Sequence, residues 1–278
     1  MSNQNHGTLY LVATPIGNLS DISARALTTL REVDFIAAED TRVTRRLLEH
    51  FGIKKPLVSY YKHNSRSGGE KVLTRLQGGE SCALVSDAGT PGISDPGEDL
   101  VRLCALDEIK IITIPGPCAA VSALALSGLD SGRFVFEGFL STDNKKRFAL
   151  LEELKTEFRT MIFYEAPHKL IRTLTDLLNF FGERRISVSR ELTKIYEETL
   201  RLTLSEAVLH FTSTPPRGEF VLIVEGAAAS DDTGDRLDEG IRLASVLIED
   251  GMSKRDAVKK AADETGCSRN ALYKAVST

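Results

Sequence analysis

Glu39-Asp40-Thr41-Arg42 sets two carboxylates and a guanidinium side by side, between an apolar run and a basic helical pattern. A carboxylate there can orient a weak acid or take its proton, and the arginine can hold a phosphate. The same string equally suits a helix N-cap whose acids complement the helix dipole. Further charged residues near the ends of predicted strands are Asp87, Glu165, Glu191 and Lys194. Lys194 can assist a base or hold a phosphate, whereas Glu191 and Glu197 can simply form surface pairs. Of the histidines, His168 is the best placed, and His6, His50, His63 and His210 have no ligand spacing, so no metal site is expected.

Glycine- and proline-rich loops supply a second kind of chemistry. Residues 14–18 (TPIGN), 86–97 (SDAGTPGISDPG) and 115–120 (PGPCAA) each follow an apolar run. Each alone reads as an ordinary turn. Three at strand ends in one domain point to a ligand outside the carboxyl ends of a parallel sheet, where backbone can approach closely. None is the GxGxxG fingerprint or the GxxxxGK[ST] phosphate loop, so nicotinamide and nucleoside triphosphate chemistry lack their usual parts. A different nucleotide-like cofactor is expected.

The elements that must position these residues follow from periodicity. Thr8–Ala13 reads as a strand, Ser20 as the N-cap of a helix carrying Ile22, Ala26 and Leu30, and Val33–Ala38 as a buried strand. Val43, Leu47, Leu48 and Phe51 then recur at helical spacing up to Gly52, with Arg42, Arg45, Arg46 and Glu49 on the opposite face. Apolar runs at Cys82–Val85 and Ile109–Ile114 complete a βα alternation with a mainly parallel sheet, giving a first α/β domain over 7–115. Strands at Phe134–Phe136, Thr160–Tyr164, Arg185–Val188 and Phe220–Val224, with helices over 145–157 and 168–181, give a second α/β domain over 116–226. Ala227–Asp235 suits a linker, and 236–278 reads as three short helices resembling a helix-turn-helix, with Ser253 and Asp256 as a capping pair.

The chain has 278 residues, 42% hydrophobic and 27% charged, which suits a soluble globular protein with two cores and an appendage. No apolar run approaches the roughly 20 residues needed to span a bilayer, and the start MSNQNHG lacks a secretory pattern. A cytoplasmic protein with no membrane partner is therefore expected. Cys82, Cys104, Cys118 and Cys267 are scattered and read as reduced thiols. The net charge of −4 excludes a surface that is basic all round, yet Arg42–Arg75 holds nine Lys or Arg against Glu49 and Glu70. Arg45, Arg46, Lys62, His63 and Arg66, with Tyr60 and Tyr61 able to stack on bases, make this an RNA-facing candidate, as do Lys254, Arg255, Arg269 and Lys274 in the tail. A solvated face and a capping bundle are the alternatives.

TPIGNLSDIS, AAEDTRVTRRLL, SDAGTPGISDPG, IPGPCAAVSAL, FYEAPHK, RELTKIYEE and GEFVLIVEG occur in this order across about 7–226. Together they resemble the ribosomal RNA small subunit methyltransferase I family of the tetrapyrrole methylase superfamily, and the tail resembles that family's C-terminal module. The resemblance implies a tetrapyrrole-methylase-like α/β fold with an S-adenosylmethionine cleft between two α/β domains and a small C-terminal helical module. It implies methylation of the 2'-oxygen of a cytidine in the decoding region of 16S ribosomal RNA, on RNA within the assembled 30S subunit, by a homodimer. Donor contacts carried over from the family fall at Ile16, Asp87, Thr90, Ile93, Cys118, Ala119, Tyr164 and Gly218. Gly89-Thr90-Pro91 stands where related methylases read GDP, and Cys118 stands where serine is usual.

For such a reaction Glu39, Asp40, Arg42 and Lys194 are the catalytic candidates: Glu39 or Asp40 to orient or deprotonate the hydroxyl, Arg42 to bind phosphate. Methyl transfer from a sulfonium is an in-line displacement that mainly requires alignment in a dry site. The same fold could instead serve a small-molecule (tetrapyrrole) methylase, and a ligand-sensing DNA-binding regulator is a third reading. Turnover separates them, since a regulator transfers no methyl group.

Overall fold

Phe35-Ile-Ala-Ala and Cys82-Ala-Leu-Val carry no polar side chain, as strands covered on both faces must, and every residue of both is buried. They form β2 (Phe35–Ala38) and β4 (Cys82–Val85), and with β1 (Thr8–Val12), β3 (Leu57–Ser59) and β5 (Lys110–Ile114) they pair in the order β3-β2-β4-β1-β5, all parallel. The computed structural model describes the backbone of residues 6–61, 65–228 and 232–276 and, outside 65–66 and 232–236, their side chains. Lys62 and His63 lie outside the described residues, as does the side chain of Arg66.

A 3-10 turn at Leu19–Asp21 precedes α1 (Ala24–Glu32), and their caps correct the sequence reading. Ser20 lies inside the turn, which Asn18 caps by accepting from the Ser20 amide at 3.0 Å. Ser23 caps α1 instead, because its extended backbone lets Oγ accept from the Ala26 amide at 3.0 Å. Asp40 caps α2 (Thr41–His50). On that helix Thr44 and Leu48 are buried, while Val43, assigned to the apolar stripe, is 39% exposed. Helices α3 (Ser65–Gln77), α4 (Glu98–Leu106) and α5 (Ala119–Ser127) complete this half. Tyr60, predicted as a base-stacking platform, is 1% exposed: its amide bonds to the Ala38 carbonyl at 2.8 Å and its ring joins Phe35, Val72 and Leu76 in the core.

The second half contains β6 (Phe134–Phe139), α6 (Asn144–Leu154), β7 (Thr160–Glu165), α7 (Pro167–Phe181), β8 (Arg185–Arg190), β9 (Glu198–Thr203), α8 (Leu204–Ser213) and β10 (Phe220–Val224). Its sheet runs β6-β7-β10-β8-β9, parallel only between β6 and β7. Strand β10, FVLIV, is buried throughout and occupies the middle. Helix α5 follows the first sheet in sequence yet buries Ala120, Ala123 and Leu124 against Ile162, Val221 and Ile223 of the second. Inside α6, Arg147 is 2% exposed and meets Asp176 at 2.7 Å and Thr173 at 2.9 Å. Such a charge stays buried only because it is paired.

The chain divides into two compact units: one holds both sheets, the other comprises Thr156–Phe158 and the chain from Gly226 onward. In the latter, α9 (Asp232–Glu249), α10 (Lys254–Thr265) and α11 (Arg269–Ala275) enclose Ala244, Val258, Ala261, Ala262 and Leu272. The first helix, of 18 residues, is longer than the three short helices read from the sequence. Ser253 caps α10 and its hydroxyl donates to the Asp256 carboxylate at 2.6 Å. Among the described residues, no helix is long and apolar enough to cross a membrane.

Candidate active site

Strands β1 and β4 and the end of β5 release the chain at the same edge of the first sheet, and hydrogen bonds join the three loops that follow. Thr14 and Gly89 exchange backbone bonds at 2.9 and 3.0 Å, and the Thr14 hydroxyl donates to the Ser86 carbonyl at 3.2 Å. The Thr90 hydroxyl donates to the Pro117 carbonyl at 3.1 Å, tying the second loop to the third. Gly89 has φ of 86°, a left-handed conformation that favours glycine, and Ile16 packs beside it.

Above these loops the second sheet contributes β7 and the start of β10, and the two halves enclose a cleft of about 430 Å³. Its walls are largely apolar, with Ile16, Ile93, Cys118, Phe139, Leu192 and Val221, and its polar groups are few: Thr90, Asp95, Tyr164, Lys194 and Glu219 among them. This size and balance suit a cofactor-sized molecule. Of the positions implied to contact the donor, Ile16, Thr90, Ile93, Cys118, Ala119 and Tyr164 line this cleft. Asp87 lines a neighbouring groove between α2 and the first loop, together with Arg46 and His50. Gly218 directly precedes the lining residue Glu219.

The charged candidates are sorted by their surroundings. Asp40 accepts from the Arg42 amide at 2.8 Å and from its guanidinium at 2.6 Å, and these bonds hold its carboxyl well below the usual range. Arg42 is 84% exposed and keeps an outward face beside that pair. Glu39 is half-buried and lines a second, acidic cavity with Asp95, Glu98, Asp99 and Glu137. Burial raises its carboxyl, and the charges of Asp95, Asp87 and Asp40 add to the effect. Burial likewise raises Asp87, whose Oδ1 accepts from the Asp40 amide at 3.1 Å.

Lys194 bridges Glu191 at 2.8 Å and Glu219 at 2.9 Å. Burial alone would lower its ammonium, but the bonds to Glu191 and Glu219 outweigh this and raise it, so it remains a cation. Glu191 also accepts from the Glu219 amide at 3.0 Å, and its backbone is left-handed at φ of 50°. Gly218, at φ of 85°, lies so close that a Cβ there would stand 2.4 Å from Glu191 Cγ. Arg45 is exposed on α2. In the tail Arg255 and Lys274 are exposed, Arg269 pairs with Asp263, and Lys254 donates to the Val276 carbonyl and lies over the Tyr273 ring. Sequence reasoning singled out neither Asp95 nor Phe139, Leu192 and Glu219, which also line the cleft. Asp95 stood in plain view within ISDPG, but only folding brings it to the cleft. Among the described residues no cluster of His, Cys, Asp and Glu is arranged to hold a metal ion.

Two five-stranded sheets enclosing a cofactor-sized cleft define a class, and the family of tetrapyrrole (corrin/porphyrin) methylases matches residues 8–208. Solved structures share the fold: cobalt precorrin-4 methyltransferase has a TM-score of 0.60 at 14% identity, covering 81% of this chain and 97% of its own. Uroporphyrin-III C-methyl transferase from Thermus thermophilus, complexed with S-adenyl homocysteine, has a TM-score of 0.55 at 16% identity, over 79% and 97%. Much nearer in sequence is ribosomal RNA small subunit methyltransferase I of Synechocystis sp., 51% identical over 96% of both chains. The protein of that name from Pseudomonas aeruginosa is 47% identical over 96% of this chain and 95% of its own. The chain belongs to the ribosomal RNA small subunit methyltransferase I family of tetrapyrrole methylases.

Proposed function

We propose that this methyltransferase uses S-adenosylmethionine to methylate the 2'-oxygen of a cytidine in the decoding region of 16S ribosomal RNA, acting on the 30S subunit as a cytoplasmic homodimer. The observation that carries the reading is the cleft itself, with its apolar walls, few polar groups and three carboxylates, Asp95, Glu165 and Glu219, of which Asp95 also lines the acidic cavity beside Glu39. Apolar walls suit the adenine ring, and nearby carboxylates favour a sulfonium cation, so the residues present fit the donor. When bound, S-adenosylmethionine supplies an electrophilic methyl group on a positively charged sulfur.

The chain's own residues align the substrate. Ile16, Thr90, Ile93, Cys118, Ala119 and Tyr164 hold the donor and exclude water, with Asp87 and Gly218 acting from the margins. Asp40, committed to Arg42 and to capping α2, is a poor base, so Glu39 is the better candidate of the two for orienting the hydroxyl. Arg42, Arg45 and Arg46 meet phosphates along α2, joined by Lys62, His63 and Arg66 and by Lys254, Arg255, Arg269 and Lys274 of the tail. Lys194 fixes the loop that carries Leu192 into the cleft.

The test is to incubate the purified protein with labelled donor and small subunits lacking the modification, and then map the labelled nucleotide and atom. Label on a cytidine ribose oxygen is expected, and label on a base or no transfer would refute the reading. Arg42→Ala should weaken RNA binding and abolish turnover with normal affinity for S-adenosylhomocysteine.

A further inference from the structure

Methylating a neutral hydroxyl releases a proton, and the carboxylates lining the cleft differ in their freedom to receive it. Glu165 is 3% exposed and already accepts from the Thr173 hydroxyl and from the Ala166 amide. The Glu219 side chain is 81% exposed and paired with Lys194. Lys194 is itself a bridged cation. Asp95 remains: it lines the cleft, and it also lines the acidic cavity that contains Glu39.

Its position is built. Ser94, the residue before it, holds a left-handed backbone at φ of 59°, a conformation rarely kept by a residue other than glycine without cause. Gly138, at a bulge in β6, lies so near that a Cβ there would stand 2.7 Å from Ser94 Oγ. Strand β6 of the second half thus lies close against the Ser94 side chain, beside Asp95.

We propose that Asp95 is the proton acceptor of the methyl transfer, an inference that rests on the function proposed above. The hydroxyl oxygen forms a bond to the methyl carbon as the bond from that carbon to sulfur breaks. The breaking bond's electron pair stays on sulfur, leaving a neutral thioether, and the hydroxyl proton passes to an Asp95 carboxylate oxygen.

Asp95 interacts electrostatically with Asp87 after β4, Glu39 after β2 and Tyr164 on β7; Glu98 and Asp99 at the start of α4 and Glu137 on β6 share its acidic cavity, and Glu165, Lys194 and Glu219 share its cleft. Burial raises the Asp95 carboxyl, the Asp87 charge adds to this, and a hydrogen bond from Ser86 opposes it. A carboxylate so placed is a stronger base than an ordinary aspartate.

Turnover, S-adenosylhomocysteine calorimetry and carboxyl carbon NMR on protein labelled at aspartate Cγ test the inference together. Asp95→Asn should lose about 100-fold or more in kcat, keep its calorimetric affinity within threefold, and lose one aspartate resonance whose midpoint in the wild type lies above the ordinary range. The wild-type kcat should fall on the acid side with that midpoint, and Asp95→Asn should lack the limb. An Asp95→Asn variant that retains turnover within threefold, a wild-type profile without the acid limb, or an Asp95 resonance titrating at or below the ordinary value would overturn the assignment. Wild-type protein that methylates no ribosomal RNA would sink the proposed function instead.

Discussion

The Tyr164 hydroxyl accepts a hydrogen bond from the Ala120 amide at 3.1 Å. A strand of the second sheet thereby satisfies a donor in the first turn of α5, which Cys118 leaves without a side-chain cap. Burial pushes the phenol up to about 12, so it stays neutral through the working range. Tyr164 lines the cleft, as does Ala119 next to Ala120, and the bond ties these two parts of its wall together.

Tyr164→Phe removes this acceptor and leaves the amide of buried Ala120 without that bond, which costs about 1–2 kcal/mol. Calorimetry should show S-adenosylhomocysteine binding weakened by about 5- to 30-fold. Unchanged affinity would mean that the wall keeps its shape without the bond.

Gly218→Ala should disturb the same cleft from the other side. The new Cβ at φ of 85° would meet Glu191 Cγ at 2.4 Å, so the Glu191–Lys194–Glu219 bridge must move. The expected loss is about 1–3 kcal/mol in urea denaturation, together with weaker S-adenosylhomocysteine binding.

Glu39→Gln tests a cost borne by the native fold. Burial and the charges of Asp95, Asp87 and Asp40 raise the Glu39 carboxyl above its ordinary 4.5 in the folded chain. The folded state therefore binds the proton more tightly than the unfolded state. The associated stability is fully present below the ordinary value and lost as pH rises through the folded one. Glu39→Gln should match the wild type near the acid end of this window and be more stable at neutral pH, as read from denaturation midpoints. A variant less stable than wild type at neutral pH would contradict the electrostatic reading.

RNA affinity of the wild type should fall steeply with salt, because each phosphate contact releases counterions. Replacing Arg45 and Arg46 together by alanine should reduce the slope of log affinity against log salt by about 2. Deleting 235–278 should weaken RNA binding and leave S-adenosylhomocysteine calorimetry unchanged, whereas unchanged RNA affinity would leave the tail a structural role only.

Long apolar runs, loop composition and family strings were legible along the chain. FIAA and CALV announce buried strands because nothing in them tolerates water. Short or half-exposed elements were not. Strand β3 has three residues, β9 lies at the sheet edge within a charged segment, and α8 follows it with only a capping Thr203 and Glu206 to mark its start. Tyr60 and Tyr61 adjoin in sequence, yet Tyr60 is buried in the core and Tyr61 is 41% exposed. Composition treats them alike, because successive residues of an extended segment face opposite ways.

By itself the sequence determined the family, the parallel first sheet and the three loops at its carboxyl edge, since local periodicity and glycine or proline chemistry are written in neighbouring residues. Tertiary structure alone decided which charges share the cleft. Asp40 is consumed by Arg42, Asp87 is turned to a neighbouring groove, and Asp95 is delivered to the junction of two cavities. Such assignments depend on burial and on partners distant along the chain, and neither exists until both sheets have closed around the space between them.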